Sequence, residues 1–345
     1  MKILTRIFSA WLAVAGCAFA LPAAAQARAP LTKVHIGVGG KDALYYLPLT
    51  ITEQLGYFKD AGLDVTISDF QGGSKTMQAL VGGSIDVASG AYEHTITVQP
   101  KGQDIIAFVA QGRYPGYAFG IVKSKAANYK SPKDLKGMKI GVTAPGSGTQ
   151  NFVEYLLDKN GMSKADVSFI GVGASSVALT AVRTGQIEAI SNIDPVMTEV
   201  EMSGDVTIVL DTRTTKGTLD LFGSPMPAAT LYSTREFIDK NPKTIQALTD
   251  AMVRALLWIQ KATPDDVARV VPPRYLERNR ELYLAAFEKV RDGISPDGLF
   301  PRDGVENTLK MLQTFNPEVA AAKIRIDDTY TNRFVERALA TVKKP

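Results

Sequence analysis

The stretch DVTISDFQGGSKTMQALVGGSIDVAS, residues 64–89, returns without a gap as DVSFIGVGASSVALTAVRTGQIEAIS, residues 166–191. Asp64 falls on Asp166, Ser74 on Ser176, Gly83 on Gly185, Ile85 on Ile187 and Asp86 on Glu188. Upstream, HIGV at 35–38 is answered by KIGV at 139–142, so a two-residue insertion separates the two matches. A period near 100 far exceeds the ~20–50-residue unit of a solenoid. It describes two similar lobes instead. Runs such as VTISDF and VSFIGV read as strands. KTMQALVGG and VALTAVRTG place apolar residues at helical spacing and stop at glycine. Alternating strands and helices predict α/β lobes with parallel sheets and right-handed crossovers.

Residues 105–124 contain two strand-like runs broken by Gly112, Pro115 and Gly116. The second run reads as a connector into the second lobe, and residues 227–238 as the return. The pattern therefore predicts a discontinuous first lobe, 28–117 with 228–345, a second lobe at 118–227, and a hinge of two extended connectors. The C-terminal part reads as helices near 241–262, 264–270, 276–292 and 302–314. The first opens with Asn241 and Pro242 and carries the stripe Ile245, Leu248, Met252, Leu256, Ile259, expected to pack on the first lobe.

Lys2 and Arg6 precede an apolar run, Ile7 to Leu21, followed by small residues around Gln26. This is the pattern of a secretory signal peptide, expected to span 1–27 and to direct the chain to the periplasm. The run VAGC ending at Cys17 also fits a lipoprotein cleavage box. Cys17 is the only cysteine in the sequence, so no disulfide is expected in the exported body. A net charge of +4 on 345 residues, without a focused basic run, argues against nucleic-acid binding.

Two glycine loops invite a nucleotide reading. Gly141 and Gly146 have P-loop spacing, but Ser147 stands where the phosphate-binding lysine belongs. GVGASS at 171–176 ends in Ser176 where a dinucleotide fingerprint needs a small Gly or Ala. What remains is a helix N-terminus able to hold an anion through backbone N–H groups, with Ser147 and Thr149 as added donors or as caps. His35 and His94 are the only histidines, which argues against a zinc site. No Gly-x-Ser-x-Gly elbow leads a helix with a later His partner, and no catalytic residues, metal or cofactor are assigned.

Ligands of open α/β sheets sit at the carboxyl ends of the strands. Those loops nominate Tyr45, Tyr46, Ser74, Tyr92, Glu93, Ser147, Thr149, Asn192 and Asp194, with Arg113 and Tyr114 from the hinge. Arg113 could clamp a sulfonate or carboxylate, or form an ion pair. The tyrosines could wall the site or pack in a core. Glu93 and Asp194 could meet an ammonium group or cap helices, with capping favoured for Asp194. Ser74 could bond the ligand or cap its helix, and Asn192 could hydrogen-bond the ligand. The expected ligand is a small organic anion or zwitterion.

The stretches YLPLTITEQLGYFKDAGLDVTISDFQGGSKTMQALVGGSIDVASG (46–90), LKGMKIGVTAPGSGTQNFVEYLL (135–157) and ALTAVRTGQIEAISNIDP (178–195) resemble periplasmic substrate-binding proteins of the nitrate/sulfonate/taurine class of ABC importers. That group also includes proteins similar to binders of thiamine pyrimidine precursors. The resemblance runs from about residue 34 to about 262. It implies a two-lobed type II periplasmic-binding-protein fold, closure over a small ligand, and delivery to a membrane permease and its ATPase by a monomeric, non-enzymatic protein. Pyrimidine-synthase relatives use cysteine- and histidine-bearing motifs, so the single Cys17 speaks against that activity. A binding protein for a pyrimidine precursor, and an enzyme or a ligand sensor on the same scaffold, remain alternatives.

Overall fold

The computed structural model describes residues 30–342. The expected signal peptide, Cys17 and the outermost residues of the expected first lobe (28, 29 and 343–345) lie outside them. The described chain holds two five-stranded sheets. The strands are β1 (Thr32–Val38), β2 (Leu63–Asp69), β3 (Val87–Ala91), β4 (Ile105–Ala110), β5 (Ala118–Val122), β6 (Lys139–Val142), β7 (Ser168–Gly171), β8 (Ala189–Asn192), β9 (Val206–Asp211) and β10 (Ala229–Thr234). One sheet has the order β2-β1-β3-β10-β4 and the other β7-β6-β8-β5-β9. The duplicated strands thus take matching places: β2 with β7, β1 with β6, β3 with β8.

The sheets are mixed rather than purely parallel. The fourth strand of each sheet is the connector arriving from the other lobe. β10 runs antiparallel between β3 and β4, and β5 antiparallel between β8 and β9. Each inserted strand carries a register shift, at Leu231/Tyr232 and at Phe119/Gly120. Each lobe therefore completes its sheet with a strand that the other lobe sends across.

The repeat also explains its own residues. Asp86 Oδ2 accepts the backbone N–H of His35 at 2.8 Å, and Glu188 Oε2 accepts that of Lys139 at 3.1 Å. These are equivalent bonds at equivalent places, each clamping the first strand of a lobe to the turn before the third. Gly37 and Gly141 sit against Ile85 and Ile187; a Cβ at either glycine would lie 2.5 Å from the isoleucine Cδ1. Only glycine admits that approach of the turn isoleucine to the strand.

The helix Pro242–Lys261 buries Ile245, Leu248, Met252, Leu256 and Ile259 and packs in the first lobe, as its stripe implies. The helix expected over 276–292 is shorter, Arg280–Val290, because Asn279 Oδ1 accepts the N–H of Leu282 and caps it there. Helices at Pro264–Val270 and Arg302–Phe315 complete the tail. Among the described residues no helix is long and apolar enough to cross a membrane.

Candidate functional site

The carboxyl ends of the matching strands face one crevice. The first lobe supplies Tyr45, Tyr46, Gly73 and His94, and the second supplies Thr143, Ser147, Gly148 and Thr149, to a common cavity of about 20 Å³. Tyr117, at the foot of β5, forms its back. Several hydrogen bonds cross the crevice. Ser74 Oγ donates to the Pro145 carbonyl at 2.8 Å, Asn151 Nδ2 donates to Glu93 Oε1 at 2.9 Å, and the Leu44 N–H donates to the Asp194 carbonyl at 2.9 Å. The lobes are closed upon one another, and the cavity has room for about one water.

Tyr45 stands at the centre. Its ring is stacked on Tyr117 with centroids 5.9 Å apart, meets Tyr46 edge-on at 5.1 Å, and its hydroxyl lies 3.3 Å from that of Tyr117. Tyr45 also lines a second cavity of about 40 Å³ on the hinge side, with Gly112, Tyr114 and Asp194.

The glycine loop before the helix Gly148–Asp158 is built for close approach rather than for a nucleotide. Ser147 occupies the cap position, yet its hydroxyl makes no cap bond; it accepts the N–H of Ser74 at 3.2 Å across the crevice. Thr149 Oγ1 accepts the N–H of Thr143 at 3.0 Å and so ties the first helical turn to β6. A Cβ at Gly148 would lie 2.2 Å from the Tyr117 hydroxyl and 2.7 Å from Glu93 Oε1.

Glu93 and His94 follow β3 directly. Glu93 is buried, its one hydrogen-bonded partner being Asn151, and burial pushes its carboxyl up to about 7 while the Asn151 amide pulls the other way. His94 is buried and desolvation holds its imidazole down at about 4, so the ring is neutral. Its Nε2 has no hydrogen-bond partner and would lie 2.9 Å from a Cβ on Gly73 at the cavity wall.

The structure brings Tyr45, Tyr46, Ser147 and Thr149 to the cavity, Ser74 to its rim, Glu93 against its wall, and Tyr114 to the hinge-side cavity. It places others elsewhere. The Arg113 Nε donates to the Asp292 carbonyl at 2.7 Å, and its guanidinium lies over the Tyr114 ring, off the cavity. Tyr92 is buried in the first lobe, its hydroxyl 2.5 Å from that of Thr329. Asn192 is spent on the backbone around it, donating to the Gly173 carbonyl of the loop after β7 and accepting the N–H of Ile193. The Asp194 carboxylate accepts the N–H of Thr198 at 2.7 Å and pairs with Arg213 at 3.3 Å. Its carboxylate is thus spent on the first turn of the following helix and on an ion pair; its backbone reaches across the crevice, and the residue borders the hinge-side cavity.

Three residues escaped the sequence reading. His94 and Tyr117 are cavity residues; the signal for His94 was its place beside Glu93 at the end of β3. Arg213 is fully buried among Asp194, Glu201 and Asp211; burial opposes its charge, but the hydrogen bonds it donates to these carboxylates hold its guanidinium charged. A larger groove of about 450 Å³ lies away from the strand ends, beside Arg183, Glu199 and Arg278. Its charges are paired with each other, both arginines reaching Glu199 at 3.6 Å. Among the described residues no cluster of His, Cys, Asp and Glu is arranged to hold a metal.

Known proteins share this arrangement. A structure from Bordetella bronchiseptica RB50 is 54% identical, with a TM-score of 0.87, over 90% of this chain and 97% of that one. The alkanesulfonate-binding protein SsuA from Xanthomonas axonopodis pv. citri, bound to MOPS, has the same fold at 17% identity, with a TM-score of 0.66 over 88% of this chain and 99% of that one. Among curated proteins, the putative binding protein YtlA of Bacillus subtilis (strain 168) is 26% identical over 86% of both chains. A 4-amino-5-hydroxymethyl-2-methylpyrimidine phosphate synthase of Schizosaccharomyces pombe is 25% identical over 75% of both. The family profile described as NMT1/THI5 like matches residues 44–266. The chain belongs to the NMT1/THI5-like family and has the periplasmic-binding-protein fold of ABC-importer solute-binding proteins.

Proposed function

We propose that this protein captures a small solute in the crevice between its lobes and presents it, in the periplasm, to an ABC permease and its ATPase. The observation that carries this reading is the shared cavity, to which the strand ends of both lobes contribute. A solute touching both half-sites binds the closed form better than the open one and shifts the population toward it. The peptides joining β4 to β5 and β9 to β10 are the only chain crossings between the two sheets among the described residues, and they serve as the hinge. On this division the first lobe comprises 28–117 with 228–345, and the second 118–227. The Xanthomonas protein's alkanesulfonate ligand class and the curated YtlA name both favour binding over turnover.

The test is Gly148→Ala. The added Cβ would lie 2.2 Å from the Tyr117 hydroxyl and 2.7 Å from Glu93 Oε1 of the opposite lobe, and so obstructs closure. The variant is expected to keep its fold and to lose the ligand-induced rise in melting temperature seen for the native chain in a screen of sulfonates, carboxylates, nitrate, amines and pyrimidines. A stabilising solute that binds Gly148→Ala undiminished would place the site outside the crevice. Chemical conversion of that solute, followed by mass spectrometry, would assign an enzyme instead.

A further inference from the structure

The solute's charge can be read from what faces the cavity. An organic anion was expected from Arg113, and the structure places that guanidinium on the Asp292 carbonyl. Among the described residues, no Lys or Arg side chain lines the cavity. Glu93 stands against its wall, its Oε1 lying 2.7 Å from where a Cβ on the cavity-lining Gly148 would be. Glu93 has no ion-pair partner among the described residues; its one bond is to the neutral amide of Asn151. A buried carboxylate without a counter-charge is unstable as an anion, and a nearby cation removes that penalty. Beside it, His94 Nε2 is buried, unpartnered and aimed at Gly73 on the cavity wall. A neutral imidazole nitrogen there can accept a hydrogen bond.

We propose that the crevice selects a solute carrying a protonated nitrogen, whose N–H is received by His94 Nε2 and whose positive charge is balanced by Glu93. The inference rests on the solute-capture reading above. Tyr45, Tyr46 and Tyr117 supply ring faces and hydroxyls around the same point, which suit an ammonium or guanidinium group. The N-terminus of the helix Gly148–Asp158 favours negative charge, and Glu93 already stands against it.

The experiment is calorimetric titration of the native chain and of Glu93→Gln with a matched four-carbon set: butylammonium, agmatine, 4-aminobutanoate, butanesulfonate, butanoate and butanamide. Glu93→Gln keeps the shape and an oxygen for Asn151, and its unfolding without solute verifies that it folds. The native chain is expected to prefer the nitrogen cations, and Glu93→Gln to weaken them by about tenfold or more while leaving butanamide unchanged. Preference for 4-aminobutanoate over both butylammonium and agmatine, with the same loss in Glu93→Gln, supports the proposal and adds a second, anionic end to the solute. Preference for butanesulfonate or butanoate, or equal affinity of the cations for both proteins, overturns the charge assignment and leaves solute capture standing. Failure of every member to bind overturns the proposal. Capture itself falls separately, only if Gly148→Ala leaves the affinity of a bound solute intact.

Discussion

Replacing Glu93 by glutamine should change the pH dependence of stability before any solute is added. The Glu93 carboxyl is raised from its ordinary 4.5 to about 7, chiefly by burial. The native state therefore holds this proton more tightly than the unfolded chain does. Stability supplied by the protonated form is complete below pH 4.5, falls as pH rises, and is gone above pH 7. At about 1.4 kcal/mol per unit, a shift of this size corresponds to about 3 kcal/mol of destabilisation once both states are ionised. Glutamine carries no charge and still accepts from Asn151, but leaves its own amide N–H groups to be satisfied, at a cost of about 1–2 kcal/mol. Glu93→Gln should thus be less stable than the native chain at pH 4.5, by about 1–2 kcal/mol, and more stable at pH 8, by about 1–2 kcal/mol. The groups that surround Glu93, namely Asn151, Tyr45, Tyr117 and the neutral His94, carry no charge across that window. His94 acts in the opposite direction, losing stability as pH falls from 6.5 through about 4. It is common to both proteins and cancels in their difference. Urea titrations at a series of pH values give that difference directly. A difference that does not vary with pH, or a variant less stable than the native chain at pH 8, would refute the claim that Glu93 is buried without a counter-charge.

Three other outcomes follow from the geometry. Arg213→Met strips Asp194 of its buried counter-ion and should lower stability by about 3–5 kcal/mol, read by urea unfolding; adding Asp194→Asn should restore part of the loss. Gly141→Ala forces a methyl group to 2.5 Å from Ile187 and should cost about 1–3 kcal/mol, with Ile187→Val in the same chain recovering some of it. Arg113→Ala should leave solute affinity within about twofold in calorimetry, because the guanidinium serves the Asp292 carbonyl; a loss of tenfold would return Arg113 to the site.

The duplication was legible because it is written in local pattern. Apolar runs, helix spacing and terminal glycines recur at fixed offsets, and the structure keeps even the paired bonds of Asp86 and Glu188. The candidate site was legible only where strand ends dictate it. Tyr45, Tyr46, Ser147 and Thr149 reach the cavity because they follow strands whose carboxyl ends converge. Arg113 and Asp194 were nominated by charge, and charge alone does not say which partner a side chain finds. Asp194 meets Arg213, nineteen positions further on in sequence, and Arg113 meets a carbonyl near residue 292.

The sequence by itself determined two α/β halves and the loops that could hold a solute, since periodicity and turn chemistry act over a few neighbouring residues. Tertiary structure alone decided that the connectors β5 and β10 would enter each other's sheets, that Tyr117 would close the crevice, and that Glu93 and His94 would be left with so few partners. Those outcomes depend on which surfaces the folded lobes press together, and burial, unlike spacing, is a property of the whole chain.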